Sequence, residues 1–134
     1  MFDTVNHDIL KAKLDHYGIR GVPLNWFYNY LTHRQQFVCY NDTMSDVMNV
    51  NCGVPQGSVL GPKSYVLYTA PLGHVIRRHE LQHHFYADDS QLYQAFKTRD
   101  NLIQNEALDR IECGLIDIDV WIHQNKLKLN TDKT

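Results

Sequence analysis

Leu81-Gln82-His83-His84-Phe85-Tyr86-Ala87-Asp88-Asp89-Ser90-Gln91-Leu92-Tyr93-Gln94-Ala95-Phe96 is the stretch on which the fold turns. Leu81 to Ala87 and Gln91 to Phe96 are rich in aromatic side chains, which suit a pleated, half-buried surface. They meet at Asp88-Asp89-Ser90, residue types that favour turns. The spacing therefore predicts an antiparallel hairpin with acidic residues at its tip.

On the C-terminal side, Leu108, Ile111, Leu115, Ile118 and Ile122 step by three and four residues and define the longest helix. Leu127 and Leu129 then alternate with Lys126, Lys128 and Asn130, as in a half-exposed final strand. On the N-terminal side, Gly53-Val54-Pro55-Gln56-Gly57-Ser58 cannot continue regular structure. Val59 to Thr69 follows as a helix, and Pro71 kinks or restarts it before Arg77. Gln36 to Tyr40, a turn at Asn41-Asp42-Thr43, and Val47 to Asn51 suggest another hairpin. Two short helices open the chain. The first spans roughly residues 7 to 17 and stops at Gly18; the second has Pro23 in its first turn, Leu24, Phe27 and Leu31 as its apolar stripe, and an end near His33. With no repeat, low-complexity tract or linker, the reading is α+β: one layer of helices on a mostly antiparallel sheet.

The chain has 134 residues, of which 43% are hydrophobic and 11% aromatic, enough apolar material for one core. Thirteen Lys and Arg against 15 Asp and Glu leave a net charge of −2, unlike the basic balance of a self-sufficient nucleic-acid binder. Any electrostatic grip on nucleic acid is expected mostly outside this segment. Cys39, Cys52 and Cys113 are odd in number and widely spaced, which indicates neither a disulfide framework nor a zinc site and fits a reducing intracellular compartment. No stretch approaches the roughly 20 apolar residues of a membrane span.

Tyr86-Ala87-Asp88-Asp89 sets two carboxylates side by side, where like charges repel unless a cation lies between them. One explanation is Mg²⁺, a hard cation held by a few carboxylates and substrate phosphate, in a two-metal site for in-line phosphoryl displacement. The other is a solvated turn, since Asp is a favoured turn residue. The four-residue pattern arises by chance in about one such chain in a hundred, so it does not decide alone. Gly53 to Pro62 combines three glycines and two prolines around Gln56 and leads into a helix. Glycines let a base or sugar approach the backbone, Gln56 can hydrogen-bond, and the following helix turns its positive end to the loop. An ordinary strand-to-helix connection is the plain alternative. His83-His84 invites a metal reading, but adjacent strand residues point to opposite faces.

Phe2-Asp3-Thr4-Val5-Asn6-His7, Gly53 to Pro62, Tyr86 to Asp89, and Asn125 to Thr134 occur in the order of four motifs that this chain shares, by resemblance, with reverse transcriptases of non-LTR (LINE-type) retrotransposons. Trp26-Phe27 to Leu31, Arg34 to Val38, Pro71-Leu72-Gly73 with Ile76-Arg77, and Gln91-Leu92-Tyr93 are similar to that family too. The resemblance spans the chain and implies a partial polymerase palm over residues 1–134. It implies RNA-templated DNA synthesis by two-metal nucleotidyl transfer, with an RNA template, a DNA primer, deoxynucleoside triphosphates and Mg²⁺.

By matching position, Asp88 resembles the metal-binding catalytic aspartate and Asp89 its acidic neighbour beside the primer end. Phe2 resembles the aromatic gate that packs where a 2′-hydroxyl would project. Gln56 with Gly57 resembles the loop that supports template and incoming nucleotide. Lys133 falls on the lysine of the last palm motif, a proton donor or electrostatic partner for leaving pyrophosphate. A solvated terminal side chain competes with that role for Lys133, and a frayed terminus competes for Phe2.

The family's first catalytic aspartate precedes the aromatic gate by a few residues and is therefore expected upstream of Met1; Asp3 matches a later, structural aspartate. The thumb and much of the fingers are likewise expected outside this chain, which alone is expected not to extend a primer. Lys63 and Ser64 stand where the family has apolar helix residues. A buried, unpaired lysine is costly, so Lys63 should be partly exposed or its helix poorly covered. These departures carry the alternative function: a catalytically dead palm remnant, at most binding nucleic acid or a partner protein.

Overall fold

A computed structural model describes residues 2–87, 89–96 and 101–129. The chain divides into two compact units, residues 2–68 and residues 69–134 with Met1. Both mix helices with antiparallel strand pairs.

The first unit begins with a short 3₁₀ turn, Phe2–Thr4, and helix α1, His7–His16. Asn6 caps α1: its side-chain oxygen accepts from the Ile9 amide at 3.1 Å and so satisfies one of the amides a helix start leaves unpaired. The helix stops where Gly18 takes a φ of 87° and the Ile19 amide reaches back to the Leu14 carbonyl at 3.0 Å. Helix α2, Val22–Leu31, carries Pro23 in its first turn, where a missing amide costs nothing. Leu24 and Leu31 of α2 are buried with Val5, Leu10, Leu14, Tyr65 and Tyr68, which form the core of this unit.

The first hairpin is broken into two ladders. β1 (Arg34–Gln36) pairs with β4 (Met48–Val50), and β2 (Cys39–Tyr40) pairs with β3 (Thr43–Met44). A continuous strand over Gln36 to Tyr40 is expected from the sequence. Instead the pairing shifts by one residue between Gln36 opposite Met48 and Cys39 opposite Met44, and at this bulge the Val38 amide donates to the Ser45 hydroxyl at 2.9 Å while the Ser45 amide donates to the Val38 carbonyl at 2.9 Å. Asn41 and Asp42 both have positive φ, 45° and 60°, as a two-residue hairpin turn requires.

Helix α3, Leu60–Thr69, buries Gly61, Ser64, Tyr65 and Tyr68. Lys63 is exposed, as expected, on the uncovered side. Ser64 is fully buried, yet its hydroxyl donates to the Leu60 carbonyl one turn back at 2.6 Å. A polar residue in an apolar position is thereby satisfied within its own helix.

In the second unit, α4 (Leu72–Arg78) restarts after Pro71 and leads to β5 (Gln82–Tyr86), β6 (Asp89–Tyr93) and α5 (Asn101–Gln124). β5 and β6 form the expected antiparallel hairpin, with His83 opposite Leu92 and Tyr86 opposite Asp89. Among the described residues the strands form three separate two-stranded ladders in place of one shared sheet. The buried line on α5 runs through Ala107, Gly114, Ile118 and Ile122, whereas Leu108 and Leu115 of the expected stripe are exposed. Gly114 explains the rotation. A Cβ there would stand 2.6 Å from Leu81 Cδ1, so the helix sets its glycine against the buried Leu81. Arg110 and Asp117 on the same face then reach Glu80 at 2.6 Å and His79 at 2.8 Å.

The expected final strand is absent from residues 127–129. Lys126 has a φ of 52°, and the Leu127 amide bonds back to the Ile122 carbonyl at 3.0 Å. That is a helix cap, and it explains why Leu127 is buried without strand pairing. Among the described residues no helix is long and apolar enough to cross a membrane.

Lys13 gives the first unit a pH signature. Its ammonium donates to the Tyr68 carbonyl at 2.5 Å and lies 4.2 Å from that ring's centre, and burial pushes its pKa down to about 8 from 10.5. Folding thus favours the neutral amine, the unfolded chain binds more protons between these values, and stability must rise with pH there. Denaturant titrations should show stability increasing from about pH 8 towards 10, where the Tyr68 phenol, raised by burial, begins to oppose the trend. Lys13→Met should flatten that increase; an unchanged slope would contradict the assignment.

Candidate active site

The loop from Gly53 to Ser58 is held against the start of the chain by backbone bonds on both sides of Gly53. Its amide donates to the Val5 carbonyl at 2.8 Å, and the Val54 amide donates to the Phe2 carbonyl at 3.1 Å. Asn6 and Cys52 form an isolated antiparallel bridge alongside. The approach is close enough that a Cβ on Gly53 would lie 2.9 Å from Asp3 Cα and 3.0 Å from its carbonyl oxygen. With a φ of 79° as well, glycine is required here on two counts.

The Gly53 carbonyl is gripped by two side chains. The Arg34 guanidinium donates at 2.6 Å, and the His7 ring reaches it at 2.8 Å; because a carbonyl only accepts, His7 Nε2 carries the proton. His7 is nearly fully buried, and Arg34 is fixed further by donating to the Leu31 carbonyl at 2.7 Å. Sequence reading did not single out either residue as part of the site. Both lie inside blocks that carry the family resemblance, but pattern alone gives no sign that they meet at one oxygen.

This docking brings together two of the expected site residues. The Phe2 ring packs on Tyr65 of α3 with centroids 4.5 Å apart and planes tilted by 39°. The Gln56 side chain donates to Asp3 Oδ1 at 2.9 Å, so the residue beside Phe2 holds the loop's polar side chain. Ser58 closes the loop: its hydroxyl donates to the Pro55 carbonyl at 2.7 Å and accepts from the Gly61 amide at 2.9 Å, capping α3. Gly57 has a φ of 75° and open space around it, so the loop tip is accessible.

In the second unit, Asp89 opens β6 opposite Tyr86, and Ala87 in the connection has a φ of 52°. Asp89 and Ser90, expected in the turn, belong to the strand. Asp89 is exposed and has no cationic partner among the described residues. His83 turns inward and lies against α4, where a Cβ on Gly73 would come within 3.0 Å of its ring, while His84 faces out. Burial, then Arg77, then His84 lower the His83 pKa, which suits a packed neutral imidazole. The adjacent histidines do not converge, and among the described residues no group of three potential metal ligands gathers. The remaining expected residues, Asp88 and Lys133, lie outside the described residues.

A family model described as reverse transcriptase (RNA-dependent DNA polymerase) matches residues 1–134. Two proteins of Drosophila melanogaster are similar to the chain. A probable RNA-directed DNA polymerase from transposon BS is 31% identical over 144 residues, covering 99% of this chain and 15% of that protein. A probable RNA-directed DNA polymerase from transposon X-element is 39% identical over 71 residues, covering 51% of this chain and 7% of that protein. The chain thus spans a small part of the length of these relatives. No solved structure matches it.

The two loop glycines should respond differently to substitution. Gly53→Ala adds a backbone clash to an unfavourable φ and should cost roughly 2–4 kcal/mol. Gly57→Ala meets only the φ penalty and should cost about 1 kcal/mol. Urea denaturation of both variants checks this, and equal losses would show that the contact with Asp3 carries no weight.

Proposed function

This chain belongs to the reverse transcriptase (RNA-dependent DNA polymerase) family, and we propose that it forms part of the palm of a non-LTR retrotransposon polymerase that copies RNA into DNA. The observation that carries this reading is the family match over the whole chain, supported by the docking of Phe2-Asp3 on the Gly53–Ser58 loop. Lys63 is exposed, so its charge carries no burial cost in this structure.

In the proposed reaction the primer's 3′-hydroxyl attacks the incoming deoxynucleotide and pyrophosphate leaves. Mg²⁺, when bound, supplies charge stabilisation at the attacking and leaving oxygens. Asp88 and Asp89 are the residues that would hold it. The exposed hairpin start at Asp89 suits an ion shared with substrate phosphates. Phe2, backed by Tyr65, excludes the 2′-hydroxyl of a ribonucleotide, while Gln56 and Gly57 support the template and incoming base through a side-chain amide and an open backbone. Lys133 donates a proton to, or electrostatically steadies, the departing pyrophosphate. RNA template, DNA primer and deoxynucleoside triphosphates are the substrates of this reading.

A primer-extension assay on an RNA template, using a polymerase that carries this segment within its flanking sequence, tests the proposal. Asp88→Ala and Asp89→Ala should each lower incorporation on the order of 10²-fold or more. Phe2→Ala should raise ribonucleotide incorporation relative to deoxynucleotide. Full activity of the Asp88→Ala polymerase would overturn the assignment.

A further inference from the structure

The C-terminal end of α2 and strand β4 border an open groove that the proposed reaction does not use. Two adjoining hollows of about 370 and 180 Å³ share Tyr28, His33 and Asn51 among their walls. Arg34 and Asn49 line the larger, and Asp8 lines the smaller. Phe2, Gln56, Gly57 and Asp89 line neither. Spaces of a few hundred Å³ suit a small organic ligand.

The walls define its chemistry. Arg34 spends its hydrogen bonds on neutral carbonyls and meets no carboxylate among the described residues, so its position is fixed and its charge uncompensated. An anion is the natural complement. His33 stands beside it with a φ of 58°, an unfavourable backbone for a residue with a Cβ, and its Nδ1 lies 3.0 Å from the Thr32 hydroxyl. Asn49 accepts from the Gln35 amide at 3.1 Å, which fixes its carboxamide and leaves the NH₂ group as donor. Asn51 makes no side-chain hydrogen bond among the described residues and offers both a donor and an acceptor. Asp8 accepts from the Tyr28 hydroxyl at 3.0 Å and keeps lone pairs for a further donor, and that bond to Asp8 is the main reason the Tyr28 phenol stays protonated to higher pH.

A simple anion would leave Asp8 and the Asn51 acceptor unused, and an apolar ligand would leave the carboxamides without partners. We propose that the groove binds one nucleotide unit, with its phosphate at Arg34 and a base bearing an exocyclic amino group at Asn51 and Asp8. Carboxamides read base edges in pairs of hydrogen bonds, and a carboxylate accepts from an amino group that uracil lacks. The same chemistry is presented by a free nucleoside monophosphate and by an unpaired residue of a single strand.

Amide NMR shifts of the 134-residue chain, titrated with AMP, CMP, UMP, inorganic phosphate and a short single-stranded RNA, test this. AMP and CMP should give saturable shifts at His33, Asn49 and Asn51, with UMP about fivefold weaker or more and phosphate alone not saturating. Asn51 is exposed, so Asn51→Ala and Asn51→Asp should keep the folded spectrum while weakening AMP about fivefold and further still. Tighter binding of the strand than of AMP assigns the site to a polynucleotide, and equal binding assigns it to free nucleotide. The proposal is overturned by saturation with phosphate alone, by nucleotide affinity unchanged in both variants, or by no saturable shift at these residues. The titration involves no primer extension, so such a failure leaves the roles proposed for Asp88 and Asp89 standing.

Discussion

One backbone oxygen, the Gly53 carbonyl, organises the first unit. His7 from α1 and Arg34 from β1 both donate to it, and the amide of the same residue bonds to Val5. Three segments distant in sequence are thereby tied to one peptide group. Burying a histidine and half-burying an arginine is tolerable only because each finds an acceptor. The loop beyond Gly53 inherits its position from this clamp, and so does the tilted packing of Phe2 on Tyr65. The geometry of the candidate site is in this sense a consequence of hydrogen-bond satisfaction rather than of loop stiffness.

The second unit rests on a steric counterpart. Gly114 gives α5 a face without a side chain, Leu81 fills the space, and the polar pairs Arg110–Glu80 and Asp117–His79 flank the contact. Surface pairs of this kind contribute little individually. Their effect is to choose the helix rotation, since only one rotation satisfies both while presenting the glycine. The hairpin bearing Asp89 follows directly from Leu81, so the helix contact bears on where the carboxylate stands.

Much of the fold was legible in the sequence because its punctuation is local. Gly18, Pro23 and Pro71 mark ends and starts that the structure keeps, and the aromatic runs on either side of Asp88-Asp89 form the antiparallel pair they suggest. Failures occurred where a distant or side-chain interaction outweighed pattern. Leu108 and Leu115 fit a stripe, but the tertiary contact at Gly114 turned the helix. Leu127 fit an alternating strand, but a cap made by Lys126 in a left-handed conformation claimed it. At the site, the contact between Gln56 and Asp3 and the grip of His7 and Arg34 join residues that no spacing rule connects, although the motifs containing them were visible.

The interruption at Phe37-Val38 has a consequence for how the protein behaves in solution. Phe37, Val38, Tyr40, Met44, Val47 and Met48 are all more than half exposed. As one uninterrupted strand they would offer a flat apolar edge with unpaired backbone groups, the template on which chains add to one another. A one-residue shift in register divides that edge into ladders of three and two residues, and at the step the Val38 amide donates to the Ser45 hydroxyl. That one-residue step keeps the exposed apolar side chains of this hairpin from forming a long flat edge.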